Sequence, residues 1–186
     1  PQRVVYNTEM LGPQQFRLGN QNFVREDLQL ENSRGLKLEC SHYYNQKYVT
    51  TDLGDLTQLS TKELKIICQK HHIDIRHCVE KSDVIHLIRE NCGPDKESDT
   101  TPVPCIIYLH GNCGSRMDAS DAVEIALLYG LSLFAVDLSG SGLSEGEYIS
   151  LGFYEQEDVK TIISYLRNCP FVSSIGLWGR SMGAAT

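Results

Sequence analysis

The sequence predicts an α/β protein in which a leading β-hairpin and several parallel strands form one sheet, with a small all-α module inserted between them. Two patterns carry this prediction. From residue 102 onward, short apolar runs alternate with segments of helical periodicity, which is typical of a parallel sheet with right-handed crossover helices. Before them, two runs of alternating apolar and polar residues flank a short turn with glycine, which is typical of a β-hairpin.

The composition is that of a globular protein and argues against two classes of partner. The net charge is -7, so no overall basic field would attract nucleic acid, which is therefore an unlikely partner. No apolar run approaches the roughly 20 residues that a membrane-spanning helix needs. The 7 cysteines are odd in number and scattered, which favours free thiols and a cytoplasmic location.

Residues 1–47 predict a leading arm followed by the hairpin. The stretch 1–22 is rich in Gln, Asn and Gly and is interpreted as a loop. Leu28 and Leu30 alternate with polar residues, the turn falls at 32–35, and a second alternating run begins at Leu36.

We predict that residues 48–101 form an inserted helical module followed by a linker. Ser60 and Glu63 have the spacing of a capping box at the start of a helix, and Leu64, Ile67 and Cys68 form its apolar stripe. A second helix presents Val84, Leu87 and Ile88 on one face, and the stretch 93–102 is interpreted as the linker.

Residues 102–186 predict a βαβαβ core. The predicted strands are 105–109, 131–136 and 174–178, and the predicted helices are 117–129 and 154–168.

The last predicted strand leads into Gly179-Arg180-Ser181-Met182-Gly183, which has the G-x-S-x-G spacing of a nucleophile elbow. A serine on a sharp strand-to-helix turn needs small residues two positions before and after it, and Gly179 and Gly183 meet this need. The backbone N–H of Met182 would then face an oxyanion formed when Ser181 attacks a carbonyl. A glycine-rich turn without catalytic function is the alternative.

The first strand of the core opens into His110-Gly111-Asn112, where a second oxyanion-hole donor is expected. We assign this role to the backbone N–H of Asn112. A plain turn is the alternative, but the order of the two motifs and the strands between them favour the catalytic interpretation.

Together with the loop 136–146, which begins at Val136-Asp137, these motifs resemble the α/β-hydrolase superfamily. They look closest to the branch of serine hydrolases related to serine aminopeptidases and acyl-protein thioesterase-like ABHD proteins. The resemblance covers 23–44 and 103–186 and implies a partial α/β-hydrolase sheet. It also implies that Ser181 is the nucleophile for an ester, thioester or amide in a small-molecule or peptide acyl substrate, that an acyl-serine forms, and that Asn112 and Met182 supply the oxyanion hole. His110, Gly111, Gly179, Gly183 and Asp137 would support the site, with Asp137 in a structural role; neither cofactor nor metal is expected.

One departure from this family is serious. Its triad runs Ser, Asp or Glu, then His along the chain, and this chain stops five residues after Ser181. We therefore expect an inactive N-terminal fragment of a longer hydrolase, with one bare sheet edge. The alternative is a non-catalytic scaffold of hydrolase fold that presents the inserted module to a protein or to DNA.

The inserted module, from 59 to 91, resembles a SAP-like helix–extended–helix domain. SAP domains generally bind DNA, but this segment carries six Lys or Arg against five Asp or Glu, so its phosphate affinity would be small and a protein partner is favoured. Its cysteines and histidines also invite a zinc hypothesis. We favour core thiols at Cys68 and Cys78 with exposed histidines, because no second ligand pair completes Cys68 and His71.

Overall fold

The structure, a computed structural model, describes residues 3–48, 56–70, 73–92 and 101–186. The chain divides into two compact units. The sheet unit comprises Pro1–Gln46 and Thr101–Thr186, and the helical unit comprises Lys47–Thr100. The predicted linker at 93–102 lies outside the described residues except at its end, as do His71 and His72.

The sheet unit has the predicted α/β class. Its strands are β1 (Gln15–Leu18), β2 (Gln21–Glu31), β3 (Lys37–Asn45), β4 (Val103–Leu109), β5 (Ser132–Val136) and β6 (Val172–Gly179). They form one sheet in the order β1-β2-β3-β5-β4-β6. The pairs β1–β2, β2–β3 and β3–β5 are antiparallel, whereas β4 pairs parallel with both β5 and β6. The helices of the chain are α1 (Thr61–Lys70), α2 (Lys81–Cys92), α3 (Ser120–Leu128), α4 (Glu155–Arg167) and α5 (Met182–Ala185).

The leading hairpin is confirmed, but the interpretation of 1–22 as a loop is wrong in part. Residues Gln15–Leu18 form β1, which pairs with β2 across a two-residue turn. The Phe16 ring lies 6.0 Å from that of Phe23 and 6.4 Å from that of Tyr43. This strand is too short to show a periodicity of its own, and aromatic contacts with its neighbours stabilise it.

The parallel strands β4 and β5 are buried on both faces because helices cover the two sides. Ile107 and Phe134 pack on one face together with residues of α4, whereas Tyr108 and Ala135 pack on the other together with residues of α3. The strand β6 lies at the edge of the sheet, where Leu177 and Trp178 are exposed. The carboxyl ends of β4, β5 and β6 lie at the same end of the sheet, because these strands are parallel. Both predicted catalytic motifs lie at that end.

The helical unit has its own small core. Leu64 and Cys68 of α1 are fully buried and pack in one cluster with Val84 and Ile88 of α2. The predicted capping box is confirmed: the Ser60 N–H donates to Glu63 Oε2 at 2.7 Å, and the Glu63 N–H donates back to Ser60 Oγ at 3.3 Å. The thiol of Cys68 therefore belongs to this core, whereas His77 and His86 are exposed.

A buried histidine in the sheet unit gives a stability that depends on pH. His42 on β3 is enclosed by aromatic rings, with Phe171 stacked at 5.4 Å and Tyr44 at 5.0 Å, and burial lowers its pKa from 6.5 to about 3. The folded state therefore keeps the ring neutral, whereas the unfolded chain binds a proton below about pH 6.5. The contribution of the neutral His42 ring to the free energy of unfolding is therefore full above about pH 6.5 and is lost as the pH falls towards 3.

We expect His42→Leu to flatten this dependence. Between pH 7.5 and pH 5, the free energy of unfolding of the parent chain should fall about 2 kcal/mol more than that of the variant. Urea unfolding at the two pH values measures both changes. An equal fall in the two proteins would show that His42 is not held neutral.

Candidate active site

The predicted elbow is a sharp turn between β6 and α5. Ser181 stands between them with φ 51° and ψ -113°, a left-handed conformation that non-glycine residues rarely adopt. Such a conformation costs on the order of 1–3 kcal/mol and persists only where the surrounding structure enforces it. The Ser181 side chain is exposed at the carboxyl end of the parallel strands.

Close packing on both sides of the serine enforces this turn. A Cβ atom on Gly179 would lie 2.5 Å from Ala184 N and would also meet the Gly183 carbonyl oxygen. A Cβ atom on Gly183 would lie 2.6 Å from the Leu109 carbonyl carbon and would meet its oxygen. Real Cβ contacts of this length essentially never occur, so β6, α5 and the end of β4 meet where only glycine fits.

The structure brings the His-Gly-Asn loop next to this elbow. A Cβ atom on Gly111 would lie 3.4 Å from the Arg180 carbonyl oxygen and 3.6 Å from Ser181 Cβ. The N–H groups of Asn112 and Met182 donate no hydrogen bond to any residue in the described part of the chain. Among the described residues, these two N–H groups therefore have no acceptor, and the loop of Asn112 lies against the serine through Gly111.

His110 is fixed in place beneath this loop. Its ring is fully buried, its Nε2 accepts the Leu138 N–H at 3.0 Å, and its Nδ1 lies 2.7 Å from the Gly111 carbonyl oxygen. These partners assign the proton to Nδ1, and they occupy both nitrogens. His110 thus orients the loop and has no free lone pair with which to act as a base.

Asp137 lies at the end of β5 and binds three separate segments of the sheet unit. The Arg116 N–H donates to its Oδ1 at 2.6 Å, and the Leu143 N–H donates to its Oδ2 at 2.9 Å. The Tyr6 hydroxyl donates to the same Oδ2 at 2.7 Å. The carboxylate therefore joins the chain after the His-Gly-Asn loop, the glycine-rich loop 139–146 and the leading arm, which is a structural role.

Sequence reasoning did not single out the two side chains that complete this network. The Arg116 side chain is 1% exposed; its Nε donates to the Tyr6 hydroxyl oxygen at 2.7 Å and its Nη1 donates to the Cys40 carbonyl at 2.8 Å. Burial, followed by the hydrogen bond to Asp137, raises the pKa of Tyr6. Tyr6 lies 131 residues from Asp137 in the chain, so no local pattern relates them.

Neither histidine of the sheet unit is placed to act as a general base for the serine. No described side chain accepts a hydrogen bond from the Ser181 hydroxyl. The sheet unit holds two histidines, His42 and His110. The first is enclosed by aromatic rings on β3, and the second has both nitrogens engaged.

Neither a metal site nor a membrane-spanning helix is found among the described residues. They contain no group of three or more His, Cys, Asp or Glu side chains that could hold a metal ion. Within the same residues, no helix has the length and the apolar character needed to cross a membrane.

Comparison with known proteins finds similarity in sequence over part of the chain and in structure over nearly all of it. No family model matches the sequence. The uncharacterized protein YqkD of Bacillus subtilis is 33% identical over 82 residues, which cover 44% of this chain and 27% of that protein. Two crystal forms of the esterase Pf2001 of Pyrococcus furiosus superpose with TM-scores of 0.57 and 0.56 at 20% identity. Each match covers 99% of this chain and 47% or 50% of the esterase.

The chain thus spans about half the length of the esterase whose structure it matches. At 20% identity this likeness concerns the fold alone. The chain has the α/β-hydrolase fold, in the part that runs from the leading strands to the turn that carries Ser181.

Proposed function

We propose that the protein is a serine hydrolase that cleaves an ester, thioester or amide through an acyl-serine intermediate. One observation carries the proposal: Ser181 is held at a positive φ beside a loop in which the Asn112 N–H has no acceptor among the described residues. Strained backbone of this kind concentrates at active sites. Within the superfamily, we propose the branch of serine aminopeptidases and ABHD-type hydrolases.

In the proposed reaction, Ser181 Oγ attacks the carbonyl carbon of the substrate and transfers its proton to a general base. The N–H groups of Asn112 and Met182 bind the oxyanion, and the leaving group departs with a proton as the acyl-serine forms. Water then attacks the acyl-serine, which releases the acid and restores the hydroxyl. Since neither histidine of the sheet unit can serve as the base, we propose that the acid and base of the triad follow Thr186 in the full-length protein.

Labelling with a fluorophosphonate tests this proposal directly, because the reagent phosphonylates only an activated serine, with loss of fluoride. We expect the full-length protein to be labelled, Ser181→Ala to be unlabelled, and the 186-residue chain to be unlabelled because neither histidine of its sheet unit can act as the base. Ser174→Ala, at an exposed serine of β6, is the matched control and should label like the parent. Labelling of Ser181→Ala, or none in the full-length protein, would refute the mechanism.

A non-catalytic scaffold that presents the helical unit to a partner is the second candidate. Ile66 and Val79 of this unit are 56% and 92% exposed, which favours a protein partner over DNA for a SAP-like module of nearly neutral charge. A full-length protein that resists labelling but retains a protein partner through 59–91 would support this candidate.

We further propose a cytoplasmic location. The six cysteines whose side chains are described are all free thiols, and burial raises the pKa of Cys105 to about 12. Free thiols persist in a reducing compartment such as the cytoplasm.

A further inference from the structure

The His-Gly-Asn loop is anchored at both ends to the two residues that follow β5. At the start of the loop, Nε2 of His110 accepts the Leu138 N–H at 3.0 Å. Beyond its end, the Arg116 N–H donates to Asp137 Oδ1 at 2.6 Å. Asn112 lies between these two anchors, so the position of its backbone N–H depends on both of them.

The second anchor includes a side chain from the leading arm. The Tyr6 hydroxyl lies between the Arg116 guanidinium and the Asp137 carboxylate: it accepts from Arg116 Nε at 2.7 Å and donates to Asp137 Oδ2 at 2.7 Å. Because a guanidinium has donors only, the direction of both hydrogen bonds is fixed. Burial raises the pKa of Tyr6, so the hydroxyl keeps the proton that it donates.

The Tyr6 hydroxyl separates two buried groups of opposite charge. Arg116 Nε and Asp137 Oδ2 are 3.9 Å apart, whereas a direct charge-assisted hydrogen bond between such groups measures about 2.7–2.9 Å. Opposite charges attract strongly in buried surroundings, so without the hydroxyl this pair would close by about 1 Å. Since Arg116 follows directly on the His-Gly-Asn loop and its turn, that closure would displace the loop.

The leading arm is itself fixed on both sides of Tyr6. Before it, Nε of Arg3 donates to the Gly142 carbonyl oxygen at 2.7 Å. After it, Nη1 of Arg25, a side chain that is 4% exposed, donates to the Gly12 carbonyl oxygen at 2.7 Å. Contacts on either side therefore hold the Tyr6 hydroxyl at a set position, which a spacer between two attracting groups requires.

We infer that Tyr6 is a positioning residue for the oxyanion hole: its hydroxyl keeps Arg116 and Asp137 apart and thereby fixes the loop that carries Asn112. This inference rests on the serine hydrolase function proposed above. Removal of one donor from an oxyanion hole lowers kcat roughly 10²–10³-fold. A donor that is displaced but still present keeps part of this effect, so we expect loss of the Tyr6 hydroxyl to lower kcat about tenfold.

Hydrolysis of p-nitrophenyl acetate by Tyr6→Phe in the full-length protein tests the inference. Titration of the active sites with the fluorophosphonate gives the concentration of folded enzyme, so unfolded molecules do not affect the measured kcat. We expect kcat to fall about tenfold and KM to stay within about twofold of the parent value. The oxyanion forms after the neutral ester has bound, so a displaced donor weakens the transition state and leaves substrate binding unchanged.

Tyr44→Phe is the matched control. Tyr44 is 7% exposed against 8% for Tyr6, and its hydroxyl donates to a carboxylate in the same way, to Glu26 Oε2 at 2.9 Å. This pair lies on β2 and β3 and has no bond to the His-Gly-Asn loop, so kcat should stay at the parent value. An unchanged kcat in Tyr6→Phe, or an equal fall in the two variants, would overturn the inference and leave the proposed function intact.

Hydrogen exchange of the Gly114 N–H in the 186-residue chain gives a second measurement that does not depend on activity. This N–H donates to the Gly111 carbonyl oxygen at 2.9 Å and closes the turn that contains Asn112. Tyr6→Phe should speed its exchange about tenfold, and Arg3→Gln, at an exposed residue that anchors the arm, should change it in the same direction. Unchanged exchange in both variants would overturn the inference. Absence of both ester hydrolysis and fluorophosphonate labelling in the full-length parent would overturn the proposed function, and the inference with it.

Discussion

Replacing Gly183 by alanine should lower the free energy of unfolding by about 3 kcal/mol. The added Cβ would lie 2.6 Å from the Leu109 carbonyl carbon and 2.7 Å from the His110 carbonyl oxygen, and both are backbone atoms at the end of β4. Backbone atoms cannot move aside as the end of a side chain can, so α5 and β4 would have to separate. Urea unfolding of the 186-residue chain measures this loss.

The matched control is Gly176→Ala, in the neighbouring strand β6. Its Cβ would meet Ile106 Cδ1 at 2.9 Å, which is the end of a flexible side chain. The methyl group can rotate away, and alanine is a better strand former than glycine, so the change should stay within about 1 kcal/mol. Similar losses in the two variants would show that the approach of α5 to β4 is not as close as described.

Replacing Asp137 by alanine should destabilise the chain by about 3–5 kcal/mol, because it removes the buried one of two carboxylates beside a buried cation and leaves three donors without their acceptor. The Arg116 guanidinium lies 3.9 Å from Asp137 Oδ2, and the second acidic group near it, Glu39, is 3.7 Å away and less buried. The N–H groups of Arg116 and Leu143 and the Tyr6 hydroxyl would lose their acceptor. Thermal or urea unfolding should show the full loss.

Asp121→Ala provides the comparison for this prediction. Asp121 is an exposed residue in the first turn of α3, where a negative charge contributes about 0.3–1 kcal/mol through the helix dipole. We expect its loss to fall in that range. An effect of Asp137→Ala as small as that of Asp121→Ala would mean that the network around Arg116 does not stabilise the fold.

The parallel core could be predicted from the sequence because its signals are local. The apolar runs that became β4 and β5 extend over five or more residues, and the periodicity of α4 repeats over three turns. The strand β1 could not be predicted in this way. Its four residues alternate only once or twice, and its stability comes from the contacts of Phe16 with rings on β2 and β3.

The residues of the candidate site also differ in whether a local sequence pattern indicates them. Ser181, Gly179 and Gly183 could be selected from a five-residue spacing, because the steric demands of the turn act on those residues directly. Arg116 and Tyr6 could not, because each acquires its role from partners 21 to 131 residues away.

The sequence by itself therefore determined the α/β class, the position of the elbow and the residues that can turn the chain there. These features depend on periodicity and on glycine sterics, which act between near neighbours in the chain. Only the tertiary structure decided that Gly111 lies against Ser181 and that both nitrogens of His110 are engaged. Those contacts join segments separated by tens of residues, and the order of strands in the sheet is what brings them together.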